Sequence, residues 1–148
     1  MQEIGEIHIA QAADFSRLIE IWERSVRATH HFLQEQDIDQ LRPLILQQYL
    51  PHLQVYSIIL HDKICGFIGV DQQKLEMLFI DADARGQGFG TQLLDYAIQQ
   101  LAITAVDVNE QNPQAVGFYL AHGFQIAGRS EQDGQGRPYP LLHLEFVG

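Results

Sequence analysis

A single cysteine, Cys65, stands among the 148 residues. That excludes an internal disulfide and leaves no cysteine-built zinc site. No uninterrupted apolar run approaches the ~18 residues of a membrane-spanning helix. The opening MQEIGEIHIA lacks the basic start and apolar block of a secretory signal, so the cytoplasm is the expected compartment. Basic residues are scarce: nine Lys and Arg face nineteen Asp and Glu, a formal charge of -10. Such a surface repels nucleic acid and anionic membranes, and neither is expected as a partner. It favours a cationic small molecule or a basic peptide. Internal repeats, low-complexity tracts and linkers rich in Pro, Gly and Ser are also missing. A chain of this length without a linker reads as one domain, 1–148, long enough to bury a substantial core.

What is present alternates strand and helix signals. Residues 6–10 (EIHIA) alternate like a strand. Asp14 is placed to cap a helix whose apolar positions Phe15, Leu18, Ile19, Trp22 and Val26 follow the helical period. A second helix is expected over about 40–50, ended by Pro51. Strands follow at 54–60 and 63–70, joined by the tight turn His61-Asp62, and again at 74–80 (KLEMLFI). Phe89, Leu93, Leu94, Ala97, Ile98 and Leu101 form an amphipathic helical stripe. After a short strand over 103–108, Asn112-Pro113 supplies a cap and a first-turn proline for another helix, which Gly123 ends. Two strands, about 125–131 and 139–147, close the chain. The order β-α-α-β-β-β-α-β-α-β-β predicts an α/β fold with a mixed, partly antiparallel central sheet.

Between the strand at 74–80 and the next helix lies DARGQGFG, residues 83–90. A glycine-rich turn from strand to helix brings bare backbone amides to an anion, usually a phosphate. A Walker loop would need Lys-Ser or Lys-Thr after its last glycine, and no Lys is near. A dinucleotide fingerprint needs G-x-G-x-x-G, and the residue two beyond Phe89 is Thr91 rather than Gly. The remaining pattern is R-x-x-G-x-G, carried by Arg85, Gly88 and Gly90.

With that loop the sequence resembles the GNAT superfamily of N-acetyltransferases, whose signature is [QR]-x-x-G-x-[GA]. A second stretch, NPQAVGFYLAHGF at 112–124, matches the family's N-x-x-A-x-x-F-Y-x-x-x-G-F at every defined position. The resemblance spans essentially the whole chain. The stretches SVRATHHFL and GRPYPLLHLEF are similar to one bacterial branch of the family. The resemblance implies a GNAT-like sheet with helices on both faces. It also implies acetyl-CoA as cosubstrate, no metal, and direct transfer of the acetyl group to a small-molecule or peptide amine in a ternary complex.

Residue by residue, the resemblance sets the backbone of Leu78, Phe79 and Ile80 against the pantetheine arm, where two parallel strands splay. Arg85, Gly86, Gln87, Gly88, Phe89, Gly90 and Thr91 would wrap the pyrophosphate. Asn112 would reach the cofactor while capping its helix, and Asn109 would contact the pantetheine or the acceptor, or simply form a turn. Tyr119 would protonate the departing thiolate; the alternative is an aromatic ring packing the helix. Glu76 leads as the base for the acceptor amine. Strand alternation sets it on one face with Lys74, Leu78 and Ile80, and a solvated strand glutamate is its ordinary alternative. His30 and His31 are rival bases; as neighbours they cannot easily chelate one metal, and no third ligand is spaced to join them. Trp22, His30, His31 and Phe32 are expected to line the acceptor pocket, with Tyr139 closing it. Cys65, in an apolar strand with no base beside it, reads as core. The proline frequent in the family after the 78–80 stretch is replaced within Asp81-Ala82-Asp83, with no functional cost expected. A homodimer through the final strands is a further expectation. Two other readings stay open: a coenzyme A-binding sensor without turnover, and an acyltransferase for a longer acyl chain.

Overall fold

In the computed structural model, which describes residues 4–148, seven strands form one sheet. They are β1 (Glu6–Ile9), β2 (Gln54–Leu60), β3 (Lys63–Asp71), β4 (Lys74–Ile80), β5 (Ala105–Asn109), β6 (Phe124–Ser130) and β7 (Leu141–Phe146). Their spatial order is β1-β2-β3-β4-β5-β7-β6, and every neighbouring pair is antiparallel except β4 and β5. Met1, Gln2 and Glu3, part of the stretch read for a secretory signal, lie outside the described residues. Among the described residues no helix is long and apolar enough to cross a membrane.

Helices cover both faces. The apolar stripe of α1 (Phe15–Thr29), with Ile38 of α2 (Glu35–Leu44), packs on Phe67 and Met77 from one side. On the other, Phe89, Leu93, Leu94 and Ala97 of α3 (Phe89–Gln100) and Tyr119 of α4 (Pro113–Ala121) pack on Ile68, Leu75, Val106 and Leu144. Leu18, Ile21, Leu93 and Leu94 are completely buried, each stabilising the fold by about 1.5–3 kcal/mol relative to exposure. Cys65 is a core residue of this second cluster. The hairpin turn His61-Asp62 places both residues at positive φ, 53° and 60°, the geometry whose twist suits adjoining antiparallel strands.

Two helix starts differ from the sequence reading. Asp14 holds the cap position immediately before α1, as expected, but its carboxylate makes no bond to that helix; it accepts from the Gln11 N–H at 2.9 Å and closes a 3-10 turn (Ala12–Asp14). The second helix begins at Glu35, not near Gln40, because Asp37 Oδ2 accepts from the Gln34 N–H at 3.0 Å and closes the first turn. Pro43 sits inside that helix, and the chain beyond it loosens into a π turn (Ile45–Tyr49) and a 3-10 turn (Leu50–His52). A proline ring removes an amide donor and crowds the preceding turn, which accounts for the loosening.

The third difference is at the middle of the sheet. Gly69 pairs with Met77, but the next residue, Val70, pairs with Leu75. Glu76 is therefore the extra residue of a β-bulge. It reverses the alternation, so Leu75, Leu78 and Ile80 share one face while Met77 and Phe79 take the other. The expectation that Lys74 and Glu76 share a face with Leu78 and Ile80 fails at this extra residue. A bulge also bends its strand. β4 and β5 pair at only two positions, Lys74 with Ala105 and Leu75 with Val106, and the bulge follows immediately.

Candidate active site

Beyond Leu75 and Val106 the parallel strands part, and the gap opens into a cleft of about 510 Å³. That volume lies within the ~300–1,000 Å³ typical of small-molecule sites. Met77, Leu78, Phe79 and Ile80 form one wall, Val106 to Asn109 the other.

The glycine loop closes one end. After β4 a 3-10 turn (Ala82–Ala84) leads to Arg85, and Gly86 and Gly88 follow with φ of 78° and 86°. These left-handed angles strain any residue with a side chain. Gly88 is the cap position of α3, so the loop runs directly into a helix N-terminus with its unpaired amides and positive dipole end. A Cβ at Gly86 would meet nothing within 4 Å, so there is room above the loop for a ligand. Gly86, Gly88, Gly90 and Thr91 line the cleft. Phe89 offers it only main chain, because its ring is in the core. Exposed Gln87 is not part of the lining, and Arg85 lies at the rim with its guanidinium 3.3 Å from Gln114 Oε1. The glycine amides and the helix end that line the cleft suit an anionic group such as a diphosphate.

Asn112 caps α4, its side-chain oxygen accepting from the Ala115 N–H at 3.2 Å, and it borders the cleft with Asn109. Tyr119, on the same helix, forms part of the floor. Its ring packs edge-on against Phe118 and Phe124 at 5.3 and 5.7 Å. Burial pushes its phenol far above the ordinary range, so the hydroxyl keeps its proton at any working pH. Glu76 projects from the bulge between the cleft and a second hollow of about 320 Å³ bordered by Tyr49, His52 and Asp71. Burial raises its carboxyl, Lys74 opposes the rise, and Asp107 and Asp71 add to it.

The residues expected around the acceptor separate. His30 lines the cleft, whereas its neighbour His31 is exposed and outside it. Burial, and then His31, pull the His30 imidazole down to about 4. Phe32 stacks between His30 and Tyr139, with ring centroids 5.4 and 5.6 Å away, and so continues the wall above the cleft. Trp22 is a correction: it is 3 % exposed in the core under α1 and does not reach the cleft. Its helical stripe faces the sheet, and Ser25 and Thr29, one turn and two turns on, are the α1 residues that do reach it. A polar interruption of an apolar stripe was the signal available for them.

Two charged clusters escaped the sequence reading. Asp81, 1 % exposed, receives Arg17 at 2.8 Å and Arg24 at 2.9 Å, tying α1 to the end of β4. Asp107 joins Lys74 and His143, each at 2.7 Å. Among the described residues no group of three or more His, Cys, Asp and Glu could hold a metal ion.

Comparison with known proteins agrees with this geometry. The model of the Acetyltransferase (GNAT) domain matches residues 21–139. The chain is 43% identical over 132 residues to the peptidyl-lysine N-acetyltransferase YjaB of Escherichia coli, covering 88% of this chain and 89% of that protein. The solution structure of the apo form of E. coli YjaB superposes with a TM-score of 0.89 at 39% identity, over 99% of both chains. The PaiA N-acetyltransferase of Thermoplasma acidophilum, solved with coenzyme A, shares the fold at TM-score 0.75 and 18% identity, over 97% of this chain and 100% of that one.

Proposed function

The chain belongs to the GNAT acetyltransferase family, and from that premise we propose that it acetylates a primary amine, the side chain of a peptide or protein lysine. The observation that carries this reading is the forked cleft with amides at one end and a buried phenol in its floor. The similarity to a peptidyl-lysine N-acetyltransferase supports the acceptor class, as does the formal charge of -10. The acceptor is cationic until it loses a proton.

Bound acetyl-CoA would supply an activated thioester carbonyl. The main chain of Leu78, Phe79 and Ile80 would pair with the pantetheine amides as a neighbouring strand does. Amides of Gly86, Gly88, Gly90 and Thr91 would hold the diphosphate, aided by the α3 dipole. Asn112 and Asn109 bound the arm from the β5 side. A β4 amide would stabilise the negative charge that develops on the carbonyl oxygen. Glu76 would take the ammonium proton, directly or through water; as the freed amine displaces the sulfur at the carbonyl carbon, Tyr119 would give that sulfur its hydroxyl proton and regain one from the new amide nitrogen. The wall of His30, Phe32 and Tyr139 contacts the aliphatic stem of the acceptor.

The test is thiol release from acetyl-CoA with lysine-containing peptides and a panel of small amines. Acetylation of peptide lysine, located by mass spectrometry, is the expected result. Coenzyme A binding without transfer to any amine would overturn the proposal in favour of a sensor. Faster transfer from a longer acyl thioester would revise the donor.

A further inference from the structure

Glu76 is not alone at the fork. Lys74, two residues before it, has its Nζ 3.9 Å from Glu76 Oε1 but only 2.7 Å from Asp107 Oδ2. Asp107 lies one residue past the last β4–β5 pair, so its carboxylate leans across the point where the strands part. Its other oxygen is 2.7 Å from His143 Nδ1, directly across the β5–β7 register. A carboxylate only accepts, so Nδ1 carries the proton. In the neutral ring Nε2 then accepts from Ser130 Oγ, 2.6 Å away on β6. The Asp107 carboxylate is thus held at both oxygens, and its support reaches across three strands.

We propose that Asp107, fixed by His143 and Ser130, draws the Lys74 ammonium away from Glu76 and so preserves Glu76 as the base for the acceptor amine. The inference rests on the assignment of Glu76 to that role. Asp107 and His143 are positioning residues in it.

The charges around Glu76 favour this division. Asp71 at the end of β3 and Asp107 on β5 are anionic and raise its proton affinity; Lys74 lowers it. The other titratable side chains lining the two hollows that Glu76 borders are His52 and Tyr49 in the second and His30, Tyr119 and Arg85 in the cleft, Arg85 at the rim and turned to Gln114. His30, pulled down to about 4, is neutral at pH 7, and so is the buried Tyr119 phenol. Lys74 is therefore the cation whose position decides how strong a base Glu76 is. Without Asp107, the flexible lysine stem lets that ammonium swing into contact with Glu76. An opposite charge in contact stabilises the carboxylate and weakens the base. The order Ser130–His143–Asp107 resembles an acyl-transfer triad, but Ser130 and His143 stand outside the cleft lining. The second Asp107 oxygen is also committed to Lys74. The array acts on a lysine, not on a carbonyl.

The experiment is the pH dependence of kcat, with saturating acetyl-CoA and a lysine peptide, for five variants. Asp107→Asn should move the acid limb about one unit lower and reduce the plateau about 3–10-fold, since a weaker base transfers protons less readily. Adding Lys74→Met to Asp107→Asn should return the limb toward its original position, which lost structure alone could not do. His143→Leu should shift the limb in the same direction as Asp107→Asn, whereas His143→Asn, keeping a donor near the Nδ1 position, should not. An unmoved limb in Asp107→Asn, or a shift that persists in the double variant, overturns the inference. Glu76→Gln separates the two claims. If Glu76→Gln abolishes the limb but Asp107→Asn leaves it in place, only the positioning role fails. A normal profile in Glu76→Gln overturns both.

Discussion

The hydroxyl of Tyr139 donates to Asp37 Oδ2, tying the connection between β6 and β7 to the first turn of α2. Arg137 reinforces the same joint, with Nε 3.6 Å from Asp37 Oδ1 and Nη2 3.2 Å from Gln40 Oε1. Asp37 is meanwhile the acceptor that closes the α2 start. One buried carboxylate therefore secures both the helix and the strap above the acceptor side of the cleft.

Tyr139→Phe should loosen that strap without unfolding the protein. Losing one hydrogen bond to a charged group at a half-exposed site costs about 1 kcal/mol, which lowers Tm by roughly 2–4 °C in a domain of this size. Amide exchange over 131–140 should rise, and KM for the acceptor should increase more than KM for acetyl-CoA. Equal changes in the two KM values would remove the strap from acceptor binding. The hydrogen bond to Asp37, then burial, raises the Tyr139 phenol. Its contribution is thus complete below the ordinary phenol range of about 10 and fades as pH rises through the shifted value.

Gly90→Asp tests the anion loop with little backbone strain. Gly90 lacks the positive φ of Gly86 and Gly88, and a Cβ there would meet the Phe118 ring at 3.6 Å and the Ile80 side chain at 3.9 Å, both ordinary contacts. A carboxylate in the first turn of α3 suits the helix dipole but repels a diphosphate. The apo protein should melt near its usual temperature while acetyl-CoA no longer raises Tm, since a ligand stabilises only in proportion to its binding. A normal thermal shift would place the diphosphate elsewhere.

Tyr119→Phe keeps the ring and removes the proposed proton donor. A fall in the single-turnover rate of about 10²–10⁴-fold, with unchanged acetyl-CoA affinity, is expected. Single-turnover measurement matters because product release can hide the chemical step. Wild-type rates in the folded variant would assign the donor role to water.

Asp81→Asn concerns stability rather than turnover. Burial would raise this carboxyl, but Arg17 and Arg24 outweigh it and hold the group below the usual carboxylate range. A depressed carboxyl stabilises the folded state above its unfolded value, near ~4, and loses that contribution as pH falls through the folded value. The variant should lose about 2 kcal/mol at pH 7, below the ~3–5 of fully enclosed pairs because both guanidiniums reach water. Its urea stability should also fall less steeply than wild type below pH 4. Parallel acid profiles would deny Asp81 this role.

Much of this arrangement is legible in the order of residues. The strands 54–60 and 74–80 coincide with β2 and β4, because alternation and turn residues bound them on both sides. The loop at 85–91 and the cap at Asn112 follow from local chemistry, where the residue type and its backbone role coincide. The bulge at Glu76 leaves no mark in composition: one added residue looks like any other in a strand, yet it reverses which side chains share a face. Asp107 and His143 are 36 positions apart, and only strand order brings them together. Trp22 was misplaced for a related reason, since a helical stripe shows what is apolar but not whether sheet or ligand covers it.

The fork also divides the sheet as a mechanical object. Strands β1 to β4 form one leaf, and β5, β7 and β6 form the other. Two register pairs, the hydrogen bonds from the Thr104 and Ala105 N–H groups to the Gln73 carbonyl and the Lys74–Asp107 contact join the leaves along their shared seam. A load pulling the leaves apart meets far less resistance there than across the long β2–β3 ladder. A molecule that hydrogen-bonds to both walls would act as a clasp across the seam, so unfolding force measured along this axis should report occupancy of the cleft.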